Sequence, residues 1–272
     1  MTRYAFLGPA GTFSEEALYS LGLDDLEPIE CTSIAEVFEA VERGRADAGV
    51  VPIENSIEGS VPATLDALAF DTQLEIQDEL VLDIHFCVVV APGTKLADVT
   101  SVVAHPQASG QCRRWVERNL PGRPVIAANS NAEAVQTAIA TPGVAALGPA
   151  VAAQLYGGEV VEPGVEDYAG NQTRFVVIGR GLRERTGRDK TSLALFMKAD
   201  RPGTLHMILG EFVYAEINLT KIQSRPTKRQ LGDYMFFIDI EGHVDDARVK
   251  TALDCLRLKL RDVKVLGSYP RV

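Results

Sequence analysis

The sequence predicts an α/β protein in two parts, a layered unit over residues 1–180 and a smaller βαββαβ unit over residues 190–272. Three observations carry this reading. Short runs rich in valine and isoleucine alternate with helical patterns as far as Ile178, the order expected of strands and helices in layers. Residues 179–190 hold glycines and many charges but almost no apolar side chain, so they read as a linker. Beyond them the pattern runs strand, helix, strand, strand, helix, strand, which is the ferredoxin-like order.

In the first part, strands are expected at residues 4–7, 48–51, 101–104, 125–128, 144–147 and 175–178. Helix starts are expected where Ser or Thr is followed three residues later by Glu: Thr12 with Glu15, Ser33 with Glu36, and Ser130 with Glu133. Each fits a capping box, and each is a helix N-terminus able to face an anion. So many elements are generous for one sheet, and two lobes are expected, residues 1–76 with 171–180 and residues 77–170. The extended run 75–90 is the expected crossover between them.

In the second part, strands are expected at 192–197, 219–222, 235–240 and 263–266. One helix shows Leu205, Ile208, Leu209 and Phe212 on a single face. Another shows Val249, Leu253, Leu256 and Leu260 at spacings of three or four.

Composition excludes several functions. The formal charge of -10, from 27 Lys plus Arg against 37 Asp plus Glu, works against binding nucleic acid or an anionic membrane without sequence preference. An anionic substrate therefore needs a local basic pocket. Cys31, Cys87, Cys112 and Cys255 are scattered, with no metal-ligand spacing, and read as reduced cytoplasmic thiols. His85, His206 and His243 are isolated and imply no metal site. The N-terminus reaches Gly8-Pro9 too soon for a signal-peptide apolar region, and the apolar run 84–91 falls far short of the roughly 20 residues that span a bilayer.

The candidate chemistry sits in four segments. Gly8-Pro9-Ala10-Gly11-Thr12 is a strand-to-helix turn where backbone amides can approach an anion. Glu54-Asn55-Ser56 lies at a strand's carboxyl end, where open α/β sheets place ligands. Gln111 follows another strand end at His105-Pro106-Gln107 and is a polar pocket residue. In Asn171-Gln172-Thr173-Arg174-Phe175, the Arg174 fork matches a carboxylate and the Thr173 hydroxyl can hydrogen-bond a leaving oxygen. Read individually, these segments are also compatible with ordinary turn, cap and strand-edge chemistry.

Taken in order, these segments resemble the monofunctional prephenate dehydratases, and the likeness spans nearly the whole chain. It implies decarboxylating dehydration of prephenate to phenylpyruvate, without cofactor or metal, in a two-lobed fold like the periplasmic binding proteins. It implies Thr173, Glu54, Asn55 and Gln111 as catalytic residues, with Thr12, Ser56 and Arg174 binding substrate. Asn131 stands where the family commonly has threonine.

The C-terminal part resembles an ACT domain at Asn218-Leu219-Thr220-Lys221-Ile222, Ser224-Arg225-Pro226 and Tyr234-Met235-Phe236-Phe237. That implies phenylalanine as effector, held by Gly203, Leu205, Asn218, Leu219, Gln223 and Ser224. Thr204 replaces the usual alanine, and Gln223 the usual glutamate. A cytoplasmic homodimer or homotetramer is expected. Because the catalytic motif begins at Tyr4, no mutase activity is expected. A non-enzymatic binder and a dehydratase of arogenate are the competing readings.

Overall fold

The computed structural model describes residues 1–199, 201–229 and 233–272. In chain order the elements are β1 (Thr2–Leu7), α1 (Phe13–Ser20), β2 (Leu26–Cys31), α2 (Ile34–Glu42), β3 (Ala48–Asn55), β4 (Gly59–Ser60) and α3 (Pro62–Asp66). A π-helical turn, Ala67–Asp71, extends α3. There follow β5 (Glu75–Asp83), β6 (Cys87–Val90), β7 (Ser101–Ala104), α4 (Pro106–Gln111), α5 (Arg113–Asn119), β8 (Val125–Ala127), α6 (Asn131–Ala140), β9 (Val144–Gly148), α7 (Ala150–Tyr156), β10 (Glu159–Pro163) and β11 (Gln172–Gly179). The last six are β12 (Asp189–Phe196), α8 (Thr204–Tyr214), β13 (Leu219–Pro226), β14 (Tyr234–Glu241), α9 (Ala247–Lys259) and β15 (Asp262–Pro270).

The chain forms two compact units, one of Met1–Pro62 with Leu80–Phe175, the other of Ala63–Glu79 with Val176–Val272. The first unit has two lobes. One is built on β1, which pairs in parallel with β2 on one side and β3 on the other, with β11 next to β3. The second is a mixed sheet in the order β10-β6-β9-β7-β8.

The second lobe explains its own sequence. Along β6, Val88 and Val90 pack with Ala108, Cys112 and Val116 of the α4–α5 layer, while Cys87 and Val89 pack with Ala134, Val135 and Ala138 of α6. A strand covered on both faces must be apolar at every position, so no alternation is visible in Cys87-Val88-Val89-Val90.

Two strands differ from expectation because they are sheet edges. β2 carries Glu27, Pro28 and Glu30, and β10 carries Glu159, Glu162 and a bulge between Val160 and Glu162. Proline and solvated charge are most easily tolerated where one side of a strand is unpaired, and they hide the strand pattern from the sequence. The run 75–90 is likewise two strands, since β5 ends at Asp83 and β6 begins only at Cys87.

Ser33 and Ser130 cap α2 and α6 as expected, accepting from the N–H of Glu36 at 3.2 Å and of Glu133 at 3.0 Å. Thr12 does not cap with its side chain. Its hydroxyl donates to the Leu7 carbonyl at 3.1 Å, and Glu15 accepts from Gly11 N–H at 2.6 Å. The carboxylate reaches the N–H of the residue before the cap position, as Glu36 does at Thr32 and Glu133 at Asn129, both at 2.8 Å.

In the second unit, β13-β14-β12-β15 form an antiparallel sheet, giving the βαββαβ order the sequence predicts. Leu193, Leu195, Ile238 and Ile240 point at Ile208 and Phe212 of α8 and at Val249, Leu253 and Leu256 of α9. β15 also meets β5 in parallel at Gly267 and Ile76. A Cβ on Gly267 would lie 2.3 Å from the Ile76 carbonyl oxygen, so only glycine permits that approach.

The segment after α3 is fastened within this unit. Arg225 forks onto Asp66 at 2.5 and 2.7 Å, Lys228 adds a contact at 2.8 Å, Phe70 meets Phe196 edge-on, and Lys264 donates to the Thr72 carbonyl at 2.6 Å. The fork and Lys228 outweigh burial and hold the Asp66 carboxyl below its ordinary range.

Candidate active site

The parallel strands β1 and β3 bring the Gly8–Gly11 turn and Glu54-Asn55 to the same carboxyl edge of the first lobe. β11 starts beside the end of β3: Ser56 N–H donates to the Gln172 carbonyl at 2.8 Å, and Gln172 N–H donates back to Ser56 Oγ at 2.9 Å. This reciprocal pair sets Thr173 against Asn55. Asn55 Nδ2 donates to Thr173 Oγ1 at 2.9 Å, to Asn171 Oδ1 at 2.7 Å and to the Gln172 carbonyl at 3.1 Å. Asn55 Oδ1 accepts from the N–H groups of Ile57 and Glu58 at 3.0 and 2.9 Å, which fixes the amide's orientation.

From the second lobe, α4 delivers Gln111. Asn171 Nδ2 donates to Gln111 Oε1 at 2.8 Å, and Gln111 Nε2 donates to Glu58 Oε1 at 3.1 Å. Asn171, Thr173 and Gln111 are all buried, and the bond between Asn171 and Gln111 is shielded from water. His105 is the N-cap of α4 and accepts from Gln107 N–H at 3.4 Å, and burial pushes its imidazole pKa down. It reads as a cap and not as an acid.

Arg174, with a side chain 12% exposed, lies 3.3 Å from Glu54, giving a cation and a carboxylate at the mouth of β11. Thr12 shapes the neighbouring turn through Leu7, and Tyr156 Oη secures the same turn by donating to the Ala10 carbonyl at 2.7 Å. Of the expected residues, Asn55, Ser56, Gln111 and Thr173 join one hydrogen-bonded cluster. Glu54 with Arg174 forms a pair beside it, and Thr12 belongs to neither.

Glu58 and Asn171 are members that residue-by-residue reading missed. Asn171 lies inside a motif already singled out and Glu58 two residues beyond another, but only their partners reveal a role. Asn131 opens α6, and its Oδ1 is buried without a hydrogen-bond partner. Among the described residues no cluster of His, Cys, Asp and Glu could hold a metal ion.

The second unit carries a cavity of about 380 Å3 lined by Met197, Arg201, Gly203, Thr204, Leu205, His206, Leu209 and Phe236. Gly203 starts α8 in the left-handed region at φ 88°, with no side-chain cap, which leaves first-turn N–H groups to face a ligand. Gly203 and Leu205 line this cavity. Asn218 precedes β13, while Leu219, Gln223 and Ser224 lie along it, Ser224 opposite the cavity residue Phe236. Arg201 is a further basic residue here, announced in the sequence only by its place before Gly203.

The family model for prephenate dehydratase matches residues 4–182, and the ACT domain model matches residues 191–254. The chain is 43% identical over 286 residues to a prephenate dehydratase of Mycolicibacterium vanbaalenii, covering 99% of this chain and 91% of the relative. It resembles the crystal structure of an Arthrobacter aurescens prephenate dehydratase in complex with L-Phe, with TM-score 0.91, 40% identity, and coverage of 99% and 90%. It also resembles GqqA, described as a quorum-quenching acylase, with TM-score 0.88, 28% identity, and coverage of 99% and 98%.

Proposed function

The chain belongs to the prephenate dehydratase family and is a decarboxylating dehydratase of prephenate, and on that premise we propose that Thr173 donates to the leaving hydroxyl. The observation that supports this most is the 2.9 Å bond from Asn55 Nδ2 to Thr173 Oγ1. It occupies a lone pair of the threonine and turns the O–H outward as a donor.

Prephenate loses its ring carboxylate as carbon dioxide, and the electrons of that bond complete the aromatic ring. The ring C–O bond breaks towards oxygen, and the departing hydroxide, hydrogen-bonded by Thr173, takes a proton supplied by solvent and leaves as water. Aromatisation drives the reaction, so the site's task is to orient the diene and assist the oxygen. Arg174 binds a substrate carboxylate, while Glu54, Asn55, Ser56 and Gln111 orient the ring. Thr12, at the N-cap position of α1, binds a second substrate carboxylate.

Residues 1–180 form the catalytic region and residues 190–272 the effector domain, a division supported by the two family matches on either side of the linker. Phenylalanine occupies the α8 cavity, its carboxylate meeting the α8 N-terminus and Arg201 and its ring the apolar wall of Met197, Leu205, Leu209 and Phe236. The L-Phe complex of the Arthrobacter aurescens relative supports this choice. The chain is a cytoplasmic homodimer or homotetramer. Buried, unpaired Cys31, Cys87 and Cys112 suit a reducing compartment, and Val213, Tyr214 and Leu258 expose apolar surface suited to a second copy.

The test is turnover by purified, metal-free protein. Prephenate should give phenylpyruvate in preference to arogenate as substrate, and Thr173→Val should lower kcat by about a hundredfold or more. Near-normal turnover by folded Thr173→Val would leave Thr173 a structural residue. Added L-Phe should bind with a calorimetric signal that Gly203→Val abolishes; an unchanged signal would move the effector elsewhere.

A further inference from the structure

We propose that Glu58 is a positioning residue for the dehydration, closing a one-way ring of hydrogen bonds that holds the Thr173 hydroxyl as a donor. Glu58 N–H donates to Asn55 Oδ1 at 2.9 Å, Asn55 Nδ2 to Asn171 Oδ1 at 2.7 Å, Asn171 Nδ2 to Gln111 Oε1 at 2.8 Å, and Gln111 Nε2 returns to Glu58 Oε1 at 3.1 Å. Each donor points the same way round. The bond from Asn55 Nδ2 to Thr173 Oγ1 is a branch from this ring.

The carboxylate sets the direction. Asn and Gln side chains each present a donor and an acceptor, so a ring of amides alone could run either way. An ionised carboxylate only accepts. Gln111 must therefore aim its N–H2 at Glu58 and its oxygen at Asn171, and Asn171 must then aim its oxygen at Asn55. In the reversed ring Asn55 would present oxygen to Thr173 and take the hydroxyl proton, turning the threonine from donor into acceptor. The Glu58 backbone N–H opposes the same reversal at Asn55.

The ring also joins the lobes. Glu58 lies in the turn between β3 and β4, and Gln111 ends α4 of the second lobe, so their bond crosses from one sheet system to the other. Bonds within such a network reinforce one another, and loss of one member loosens the rest. Glu58 does not need to touch substrate to matter.

The inference rests on Thr173 being the donor, which Thr173→Val tests alone; Glu58→Ala with Thr173 intact tests the ring. Glu58→Ala should lower kcat about tenfold with KM within about twofold, as expected when orientation is lost and binding is kept. Glu58→Gln, whose side-chain oxygen can still accept from Gln111 while the backbone N–H groups of residues 57 and 58 keep Asn55 oriented, should recover kcat to within about threefold of wild type. In a Thr173→Val background, Glu58→Ala should have no further effect.

Wild-type kcat in Glu58→Ala would overturn the proposal, as would a loss confined to KM. Glu58→Gln as impaired as Glu58→Ala would point to a direct acid role and overturn it too, and so would independent, multiplicative losses in the double variant. Glu58 is exposed, so the fold should survive. Should the alanine variant fail to fold, Glu58→Lys, which puts a donor where the ring needs an acceptor, carries the same expected loss.

Discussion

Asn171→Asp changes one atom and tests the directionality of the site. Asn171 is 3% exposed, and its Nδ2 donates to Gln111 Oε1 at 2.8 Å while its Oδ1 accepts from Asn55 at 2.7 Å. A carboxylate keeps the second contact and sets oxygen against oxygen in the first. Rotating the Gln111 amide only moves the conflict to Glu58 Oε1, now 3.1 Å away. A buried polar group without its partner costs about 1–3 kcal/mol, and more when charged. If about 2 kcal/mol of that cost is expressed at Thr173, kcat falls roughly thirtyfold at 1.36 kcal/mol per factor of ten.

Burial raises the pKa of the introduced carboxyl, and its protonated form regains an O–H donor for Gln111. The deficit should therefore be largest at high pH and shrink as pH falls through that raised value. The assay is phenylpyruvate formation from prephenate over a pH series, expressed as the ratio of variant to wild-type kcat. A ratio near one at every pH, or a fixed loss independent of pH, would refute the reasoning.

Arg174→Lys replaces a planar fork with a point donor and should raise KM about tenfold while kcat stays within about threefold, since binding is lost more than chemistry; steady-state kinetics decide. Asp66 has a carboxyl pKa below its ordinary value, so its stabilising contribution is complete above the unfolded value of about 3.9 and disappears as pH falls through the lower folded value. Urea unfolding at pH 3 to 6 should show that dependence, reduced in Asp66→Asn. Gly267→Ala should lower stability by about 1–3 kcal/mol, because its methyl would meet the Ile76 backbone and not a movable side chain; an unchanged urea midpoint would show that the β15–β5 crossing relaxes freely.

The sequence by itself determined the βαββαβ unit, because its helices bury one stripe and write a spacing of three or four into the chain, as in Val249, Leu253 and Leu256, while its central strand is a short apolar run buried at every position, as in Leu193-Ala194-Leu195-Phe196. It also singled out Asn55, Gln111 and Thr173, each in a short motif, and the structure joins them in one hydrogen-bonded cluster. It could not show β2 or β10, where edge position permits proline and glutamate. Nor could it show that Thr12 gives its hydroxyl to the Leu7 carbonyl and leaves α1 without a side-chain cap. The role of Glu58 and Asn171 belongs to the tertiary structure alone. Gln111 is separated by 53 positions from Glu58 and by 60 from Asn171, and local propensity carries no information about which distant amide will face which carboxylate. Only the folding of two sheets against a shared cleft brings those groups within hydrogen-bond distance and gives the ring a direction.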